Sequence, residues 1–337
     1  MANIKDVAKL AGVSPSTVSR ALSQKIFVEE ATRRRVMEAV RELDYKPSLA
    51  ARSLKESKTG LLGLVIPDIQ NPYYPKIVKY IEEFAYHKGY SIILCDALEQ
   101  VEREKEYFTA LEKLFVDGII LLPSSDSLEH IRCFTDTIPM VVINRKFDEG
   151  KINCVLGDDY DGGYTVGSYL LDQGHRKIAC MMDDKKRQYN EARLDGFLRA
   201  FKERELTGYD RYLIRDVSSV EDAYQKTMVM LSGEDRPTAI FAFSDILVPG
   251  AYYAVDRSGL KIPSDISVIG YDDTIFSQYM VPPLTSFEHP AREIAQMALN
   301  LLIQEITEKE GTRRKVMKMT GRLQIRNSVC RIPYEEM

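Results

Sequence analysis

Apolar residues recur at helical spacing in three short runs within the first sixty residues. The first run places Ile4, Val7, Ala8 and Ala11 on one face of a helix. Gly12 ends this helix in a tight turn, Ser14 suits the N-cap of the next helix, and Pro15 suits its first turn. The inward faces of the second and third helices are formed by Val18, Ala21, Leu22, Val36, Ala39, Val40 and Leu43. The pattern predicts a helix-turn-helix unit whose third helix completes a small core.

The outward face of the second helix carries side chains suited to DNA. Arg20 has the geometry for a bidentate contact to the O6 and N7 of guanine, and Ser16 suits either base type. Thr17 and Ser19 are suited to phosphate contacts. A generic three-helix bundle with a solvated face would show the same periodicity, so the periodicity alone leaves both interpretations open.

From residue 61 the chain alternates short apolar runs with longer amphipathic ones. The apolar runs predict buried strands at 61–66, 91–95, 118–122, 140–143, 178–182, 212–215, 239–243 and 266–271. Helical patterns cover 77–88, 102–115, 128–134, 163–173, 193–202, 223–231 and 247–258. This alternation indicates parallel sheets covered by helices on both faces, and its repetition predicts two doubly wound lobes. Ligands of such sheets bind outside the carboxyl ends of the strands, so facing lobes would enclose a cleft.

Polar residues stand at the predicted carboxyl ends of several strands. They are Asp68, Asn144, Arg145, Asp245 and Asp272, with Tyr73 and Tyr74 close to the first of them. Carboxylates and amides beside aromatic rings suit a hydroxyl-rich ligand. Asp and Asn at strand-to-helix turns are also common helix N-caps, so each single residue fits either role. The set as a whole favours a cleft.

The formal net charge of −4 conceals a division along the chain. Residues 1–60 contain 12 Lys and Arg against 7 Asp and Glu, a net charge of +5, which leaves −9 for the remainder. A basic end on an acidic body favours nucleic-acid binding at that end. The length of 337 residues and the 45% hydrophobic content are typical of a globular protein with two or three domains.

Several classes of protein lack support in the sequence. The five cysteines are scattered singly, which is typical of buried thiols in a reducing compartment rather than of a disulfide framework or zinc site. No signal peptide and no apolar run of membrane-spanning length is apparent. Motifs for phosphate loops, serine hydrolases, metalloproteases and dinucleotide binding are missing. His175 precedes a predicted strand, where a structural role in the turn is favoured over that of a general base.

The segments IKDVAKLAGVSPSTVSRAL and TRRRVMEAVRELDYKPSLAARSL resemble the headpiece of the lactose/galactose repressor (LacI/GalR) family of bacterial transcription regulators. The resemblance implies base contacts by Pro15, Ser16 and Arg20. The headpiece residues expected at DNA are Ser14, Pro15, Ser16, Thr17, Ser19 and Arg20. Many relatives carry a polar or aromatic residue where this chain has Pro15. Part of the half-site would therefore be recognised by shape or apolar contact.

The same resemblance implies a hinge helix over residues 48–54 that enters the minor groove. Its expected DNA contacts are Ser48, Ala51, Leu54 and Lys55. Leu54 is an apolar side chain of the kind that wedges a base step open. So short a helix is unstable alone, which implies that it folds when it docks.

Segments of the body, among them LGLVIPDIQNPYY, RPTAIFAFSD, IPSDISVIGYDD and PPLTSFEHP, resemble the sugar-binding-protein-like core of that family. The expected effector contacts are Asp68, Tyr73, Tyr74, Asn144, Arg145, Arg193, Asp245 and Asp272. Asn144 stands where Asp is frequent, which gives a cationic ligand slightly less support. His289 stands where relatives often have Gln, and its role stays open.

The expected fold is a small all-α helix-turn-helix headpiece with a hinge helix, plus an α/β periplasmic-binding-protein-like core of two doubly wound parallel-sheet lobes. The headpiece covers 1–46 and the hinge and linker 47–59. The first lobe covers 60–158 and 290–320, and the second lobe 159–289 and 321–337. By the resemblance, the chain crosses between lobes near Asp158, His289 and Thr320.

These features predict a ligand-responsive, sequence-specific transcription repressor controlled by a sugar or sugar derivative. A homodimer would bind a near-palindromic double-stranded operator, as two-fold symmetry requires. We expect a cytoplasmic protein that is not an enzyme, with no cofactor, metal or membrane partner. A transport-type sugar-binding protein would need a signal peptide and no basic headpiece. A doubly wound enzyme would need a nucleophile, metal or phosphate motif.

Overall fold

The computed structural model describes residues 2–23, 28–45, 58–147, 152–183, 187–207, 212–308 and 314–332. The chain divides into two compact units, Met1–Thr59 and Gly60–Met337. The expected hinge contacts Ser48, Ala51, Leu54 and Lys55 lie outside the described residues.

The first unit contains three helices, α1 (Ile4–Ala11), α2 (Pro15–Ser23) and α3 (Glu30–Glu42). Asn3 caps α1 and forms a capping box with Asp6, and Gly12 ends α1 with a left-handed φ of 65°. Val7, Val18 and Val36 come from the three helices and are fully buried together. Complete burial of a valine contributes about 1.5–3 kcal/mol. These contacts form the small core that the apolar spacing predicts.

The second unit contains two six-stranded sheets. Its described strands are β1 (Leu61–Ile66), β2 (Ser91–Asp96), β3 (Gly118–Leu121), β4 (Met140–Ile143), β5 (Asn153–Gly157), β6 (Ile178–Met181), β7 (Leu213–Ile214), β8 (Ala239–Ala242), β9 (Ser267–Tyr271), β10 (Thr285–Glu288), β11 (Val316–Met319) and β12 (Arg322–Gln324). The first sheet has the order β11-β5-β4-β3-β1-β2, and the second has β12-β10-β9-β8-β6-β7. All pairs are parallel except β10 with β12.

Helices cover both faces of each sheet. They are α4 (Tyr73–His87), α5 (Val101–Lys113), α6 (Asp159–Asp172), α7 (Gln188–Lys202), α8 (Val220–Ser232), α9 (Val248–Arg257) and α10 (Ala291–Thr307), with 3-10 turns at Glu129–Phe134, Asp245–Leu247 and Ser277–Tyr279. Helices α4 and α10 pack on one face of the first sheet, and α5 lies on the other. Helices α6 and α7 cover one face of the second sheet, and α8 and α9 the other. The predicted fold class is confirmed.

The chain passes between the two sheets three times, after β5, after β10 and after β11. The predicted strands are present with ends that differ by one or two residues. Strands β5, β10, β11 and β12 were not predicted, because they are short and carry polar residues. The pattern over 128–134 forms a 3-10 helix rather than an α-helix. Cys133 is exposed, so the expectation of buried thiols is wrong at that position.

Candidate functional site

A cavity of about 250 Å³ lies at the carboxyl ends of strands from both sheets. Its lining includes six of the predicted effector contacts, which are Asp68, Tyr73, Tyr74, Asn144, Arg193 and Asp272. Both sheets reverse their strand order beside their first strand, between β1 and β3 and between β6 and β8. Ligands of doubly wound sheets bind at such points.

Tyr73 organises the wall from the first lobe. Its hydroxyl accepts a hydrogen bond from the Asn144 amide at 2.9 Å and shares another with Nδ1 of His289 at 2.9 Å. Asn144 follows β4 with a left-handed φ of 62°, a conformation that asparagine tolerates better than most residues. Burial lowers the pKa of His289 to about 4, so the ring is neutral at pH 7. This network joins the first lobe to the crossover that follows β10.

Arg193 is the buried cation of the second-lobe wall, and it is 4% exposed. Its Nη2 lies 2.6 Å from Oδ1 of Asp159, its Nη1 donates to the carbonyl of Phe243, and its guanidinium lies 3.3 Å from the ring centre of Tyr271. Burial opposes the charged form, but Tyr271, Asp159 and Asp272 together raise the pKa of Arg193. The guanidinium therefore stays protonated within the cavity wall.

Glycines allow α6 and α7 to approach closely at this wall. A Cβ added to Gly163 would lie 1.9 Å from the carbonyl oxygen of Arg193, and one added to Gly196 would lie 1.9 Å from that of Tyr160. The near contact of the two backbones brings Arg193 of α7 against Asp159 in the first turn of α6. Glycine at both positions is therefore a geometric requirement of this ion pair.

Asp272 completes the second-lobe wall directly after β9. It is 7% exposed, and its Oδ2 accepts a hydrogen bond from the Ser244 hydroxyl at 2.7 Å. Burial raises the pKa of Asp272 to about 7, while Arg193 acts to lower it. The carboxyl is therefore close to half protonated near neutral pH.

Two predicted effector contacts, Asp245 and Arg145, do not line the cavity. The Asp245 side chain is buried away from the cavity. It accepts hydrogen bonds from Thr274 N, Ser277 Oγ and Ser286 Oγ at 2.8, 2.5 and 2.8 Å. Burial raises its pKa to about 6. Arg145 pairs with Asp126, and its guanidinium lies 4.4 Å from the ring centre of Tyr189. Both residues support the loops that carry the wall.

The five predicted strand-end residues make no helix N-cap hydrogen bond within the described elements. Asp158 caps α6 and Ser219 caps α8, each through its side-chain oxygen. Asp68 accepts from the backbone of Gln70 in a local turn at 2.8 Å. Asp245 begins a 3-10 turn but makes no cap hydrogen bond to it. The helices α6 and α8 are therefore capped by residues that are not predicted effector contacts.

Several lining residues are not among the contacts predicted from the sequence. They include Asn71, Glu99, Asp159, Asp183, Tyr189, Asn190, Ser244 and His289. Asp159 and Tyr189 lie in the first turns of α6 and α7, which begin four or five residues before the predicted helices. An acidic first turn after a capping Asp was the available signal for Asp159. His175 bridges Thr238 and the carbonyl of Cys330, in keeping with the predicted structural role.

In the first unit, hydroxyl groups cluster at the start of α2. Ser14 Oγ accepts from the Thr17 backbone at 3.2 Å and lies 2.7 Å from Ser16 Oγ. Pro15 is the first residue of α2, Ser19 is half-buried, and Arg20 is exposed. The exposed face of α2 therefore presents hydroxyls and one guanidinium, which are groups that suit DNA.

The raised pKa of Asp272 predicts that the free protein loses stability as the pH rises through 7. A carboxyl with a raised pKa holds a proton that the unfolded chain has released. The contribution of this carboxyl to the free energy of unfolding is complete below its ordinary pKa of 3.8 and has been lost once the pH has passed through about 7. Each unit by which its pKa is raised corresponds to about 1.4 kcal/mol.

We expect Asp272→Asn to flatten the fall in melting temperature between pH 6.5 and 7.5, measured by calorimetry against wild type. His289 acts in the opposite direction, since its stabilising neutral state is lost only as the pH falls below its ordinary value of 6.5. The chosen range therefore lies above the range in which His289 opposes the effect and below the range in which unfolded thiols ionise, since burial also raises the pKa of Cys95, Cys154 and Cys180. Equal slopes for the two proteins would contradict the prediction.

A helix-turn-helix unit and a two-lobed core with a cavity, on one chain, define the class of DNA-binding regulators that also bind small molecules. Residues 3–48 match the family described as bacterial regulatory proteins, lacI family, and residues 168–329 match the periplasmic binding protein-like domain. The HTH-type transcriptional repressor PurR of Vibrio vulnificus is 36% identical over 335 residues, covering 98% of this chain and all of the relative. The chain belongs to the lacI family of bacterial regulatory proteins.

Solved structures with the same architecture support this assignment. The lac repressor dimer bound to operator and the anti-inducer ONPF has a TM-score of 0.87 at 27% identity, covering 98% of this chain and 99% of that one. A LacI-family regulator from Enterococcus faecium with bound ribose has a TM-score of 0.73 at 29% identity, covering 81% of this chain and all of that one. The transcriptional regulator CelR, in complex with cellobiose, has a TM-score of 0.73 at 25% identity and covers 97% of this chain and all of its own.

No described helix combines the length and apolar character needed to cross a membrane. Among the described residues, no group of His, Cys, Asp and Glu is arranged to hold a metal ion.

Proposed function

We propose that the protein is a ligand-responsive, sequence-specific DNA-binding repressor, acting in the cytoplasm, whose effector is a sugar or sugar derivative. The observation that carries this proposal is the cavity between the two lobes, on the same chain as a helix-turn-helix unit. Relatives that span nearly the whole chain are named repressors rather than enzymes. The support for a carbohydrate is the ribose and the cellobiose bound in two similar structures, at 29% and 25% identity.

The proposed DNA contacts are those of α2 and of the hinge, which are Ser14, Pro15, Ser16, Thr17, Ser19, Arg20, Ser48, Ala51, Leu54 and Lys55. Arg20 and Ser16 would contact bases, and the hydroxyls of Thr17 and Ser19 would hold phosphates. A helix of this width fits the major groove. The basic charge of residues 1–60 supplies the attraction to phosphate.

The proposed effector contacts are the six predicted residues that line the cavity, joined by Asp159 and His289. Asn144 Oδ1 and Arg193 Nε are buried with no hydrogen-bond partner among the described residues. A hydroxyl group can donate to the first and accept from the second. Tyr74, Tyr189 and Phe243 offer aromatic surface to the apolar side of a sugar ring. Arg145 and Asp245 act through the loops that they hold.

Effector binding is coupled to DNA affinity through the relative position of the two lobes. Two hydrogen bonds join the lobes near the cavity. Lys76 of the first lobe donates to the carbonyl of Asp273 in the second lobe at 3.0 Å, and Arg187 of the second lobe donates to the carbonyl of Ser124 in the first. A ligand that bonds both walls favours the closed arrangement of the lobes. A coupling of about 1–3 kcal/mol would change operator affinity about 5- to 150-fold.

The test of this function is operator affinity with and without an effector. The full chain selects duplexes from a random pool, and a selected duplex is titrated with protein in the presence of each candidate sugar. We expect salt-dependent binding and at least one sugar that changes affinity by about 5-fold or more. A chain that shows no preference among duplexes would contradict the proposed function.

We propose that the protein is a homodimer on a near-palindromic operator. An apolar loop of the second lobe supports a protein interface, since Ile275, Phe276, Tyr279 and Val281 are 66%, 61%, 73% and 90% exposed. Four large apolar side chains exposed within seven residues are unusual on a monomer.

The variant with Phe276→Asp and Val281→Asp is expected to elute as a monomer in size-exclusion chromatography with light scattering. A charge at the centre of an apolar interface cannot be hydrated there, so the dimer is disfavoured. Val229→Asp is the matched control, because Val229 is 74% exposed on α8 outside this loop. A dimer of unchanged stability in the double variant would overturn this assignment of the interface.

A further inference from the structure

We infer that the effector carries no phosphate or carboxylate group. The inference rests on the proposed function, because it concerns the same cavity and narrows the class of ligand. Five acidic side chains line the cavity, those of Asp68, Glu99, Asp159, Asp183 and Asp272. Among the described lining residues, Arg193 is the one side chain that carries a full positive charge. The lining therefore presents a marked excess of acidic groups to a ligand.

The charge of Arg193 is already balanced within the wall. Asp159 lies 2.6 Å from its Nη2, and both partners are less than 10% exposed. Its flat face is covered by the Tyr271 ring. An anionic ligand would have to share the Arg193 guanidinium with the Asp159 carboxylate. If the ligand displaced Asp159, that buried carboxylate would lose its counter-ion, which is costly.

The remaining polar groups of the lining cannot replace the missing cation. His289 is neutral at pH 7, since burial lowers its pKa to about 4. Asp68 and Asp272 accept hydrogen bonds from a backbone N–H and from a serine hydroxyl. A neutral donor of this kind orients the Asp68 carboxylate without cancelling its charge, while Asp272 carries about half a negative charge near pH 7, because burial raises its pKa to about 7. A second anion within a cavity of about 250 Å³ would face their repulsion at low dielectric.

Three further cations, Lys76, Arg145 and Arg187, are bound to other groups of the core and do not line the cavity. Lys76 donates to the backbone carbonyls of Asp272 and Asp273 at 3.4 and 3.0 Å. Arg145 pairs with Asp126. Arg187 donates to the carbonyl of Ser124 and lies 3.7 Å from Glu99. Each of these positive charges therefore already has a partner within the protein.

Matched pairs of compounds test the inference by their effect on the melting temperature of the full chain. The pairs are glucose with glucose 6-phosphate, glucose with glucuronate, ribose with ribose 5-phosphate, and adenosine with adenosine monophosphate. Because stabilisation follows the ratio of ligand concentration to dissociation constant, the two members of a pair compare directly. We expect the uncharged member of the active pair to stabilise the protein, and its anionic partner to need at least about 100-fold more compound for the same shift.

An anionic member that stabilises the protein at lower concentration than its parent would overturn the inference. Lys185 and Lys186 lie outside the described residues and follow Asp183 along the chain. The variant Lys185→Ala/Lys186→Ala is therefore measured in parallel. Anion binding that this variant abolishes would also overturn the inference and would identify the cations responsible. A protein that prefers a phosphorylated compound and still binds its operator would refute the charge inference alone, since DNA binding tests the proposed function separately.

Discussion

Replacement of Arg193 by alanine is expected to lower the free energy of unfolding by about 3–5 kcal/mol and to abolish effector binding. The substitution leaves the Asp159 carboxylate buried, with the Tyr271 hydroxyl at 3.1 Å as a neutral donor. It also removes the group that bonds the Phe243 carbonyl at the end of β8. Chemical denaturation of the full chain measures the stability, and calorimetric titration with the active sugar measures the binding.

The matched control for Arg193 lies on the same helix. Arg199 pairs with Glu203 at 2.8 Å, but its side chain is 55% exposed. Arg199→Ala is therefore expected to change the midpoint of denaturation little and to leave effector binding intact. The double variant Arg193→Met/Asp159→Leu removes both buried charges and should regain stability without regaining binding. Equal stability of Arg193→Ala and Arg199→Ala would refute the role given to the buried pair.

Replacement of Arg20 by alanine is expected to weaken binding to the selected operator about 5- to 150-fold, which corresponds to about 1–3 kcal/mol for one bidentate base contact. Binding to a scrambled duplex should fall far less, because phosphate contacts dominate non-specific affinity. Fluorescence anisotropy of labelled duplexes at several salt concentrations measures both quantities.

Arg41→Ala provides the control for Arg20. Arg41 is exposed in the last turn of α3, so its loss removes the same charge from the first unit without altering α2. We expect this variant to preserve the preference for the operator. If the two variants weaken operator and scrambled duplex by the same factor, Arg20 contacts phosphate and not a base.

The sequence predicted the small first unit well because its structure is determined locally. Gly12, Ser14 and Pro15 set the limits of α1 and α2, and the spacing of the valines sets the core. The larger core was predicted where strands are continuous apolar runs. Two strands of the second sheet were not predicted. In β10 the Ser286 hydroxyl donates a hydrogen bond to Asp245, and β12 pairs antiparallel with β10 at the edge of the sheet.

Part of the cavity lining was predicted from the sequence, and the rest was missed for a related reason. Helices α4, α6 and α7 begin with polar or aromatic first turns that face the cavity, so their apolar periodicity starts one turn late. Asp159 and Tyr189 were overlooked for that reason. Asp245 was counted as a contact because strand-end position does not reveal the direction of a side chain. Three donors from residues 274–286, distant in sequence, turn it behind the wall.

The three passages of the chain between the sheets have a practical consequence for anyone dividing this protein into pieces. Strand β11 completes an edge of the first sheet and β12 an edge of the second, with two residues between them. Helix α10 lies far along the chain from β1 but packs in the same hydrophobic cluster. Neither lobe can therefore be produced as one uninterrupted fragment. A stop codon at position 316 would expose a fresh edge on both sheets at once, and such edges favour aggregation.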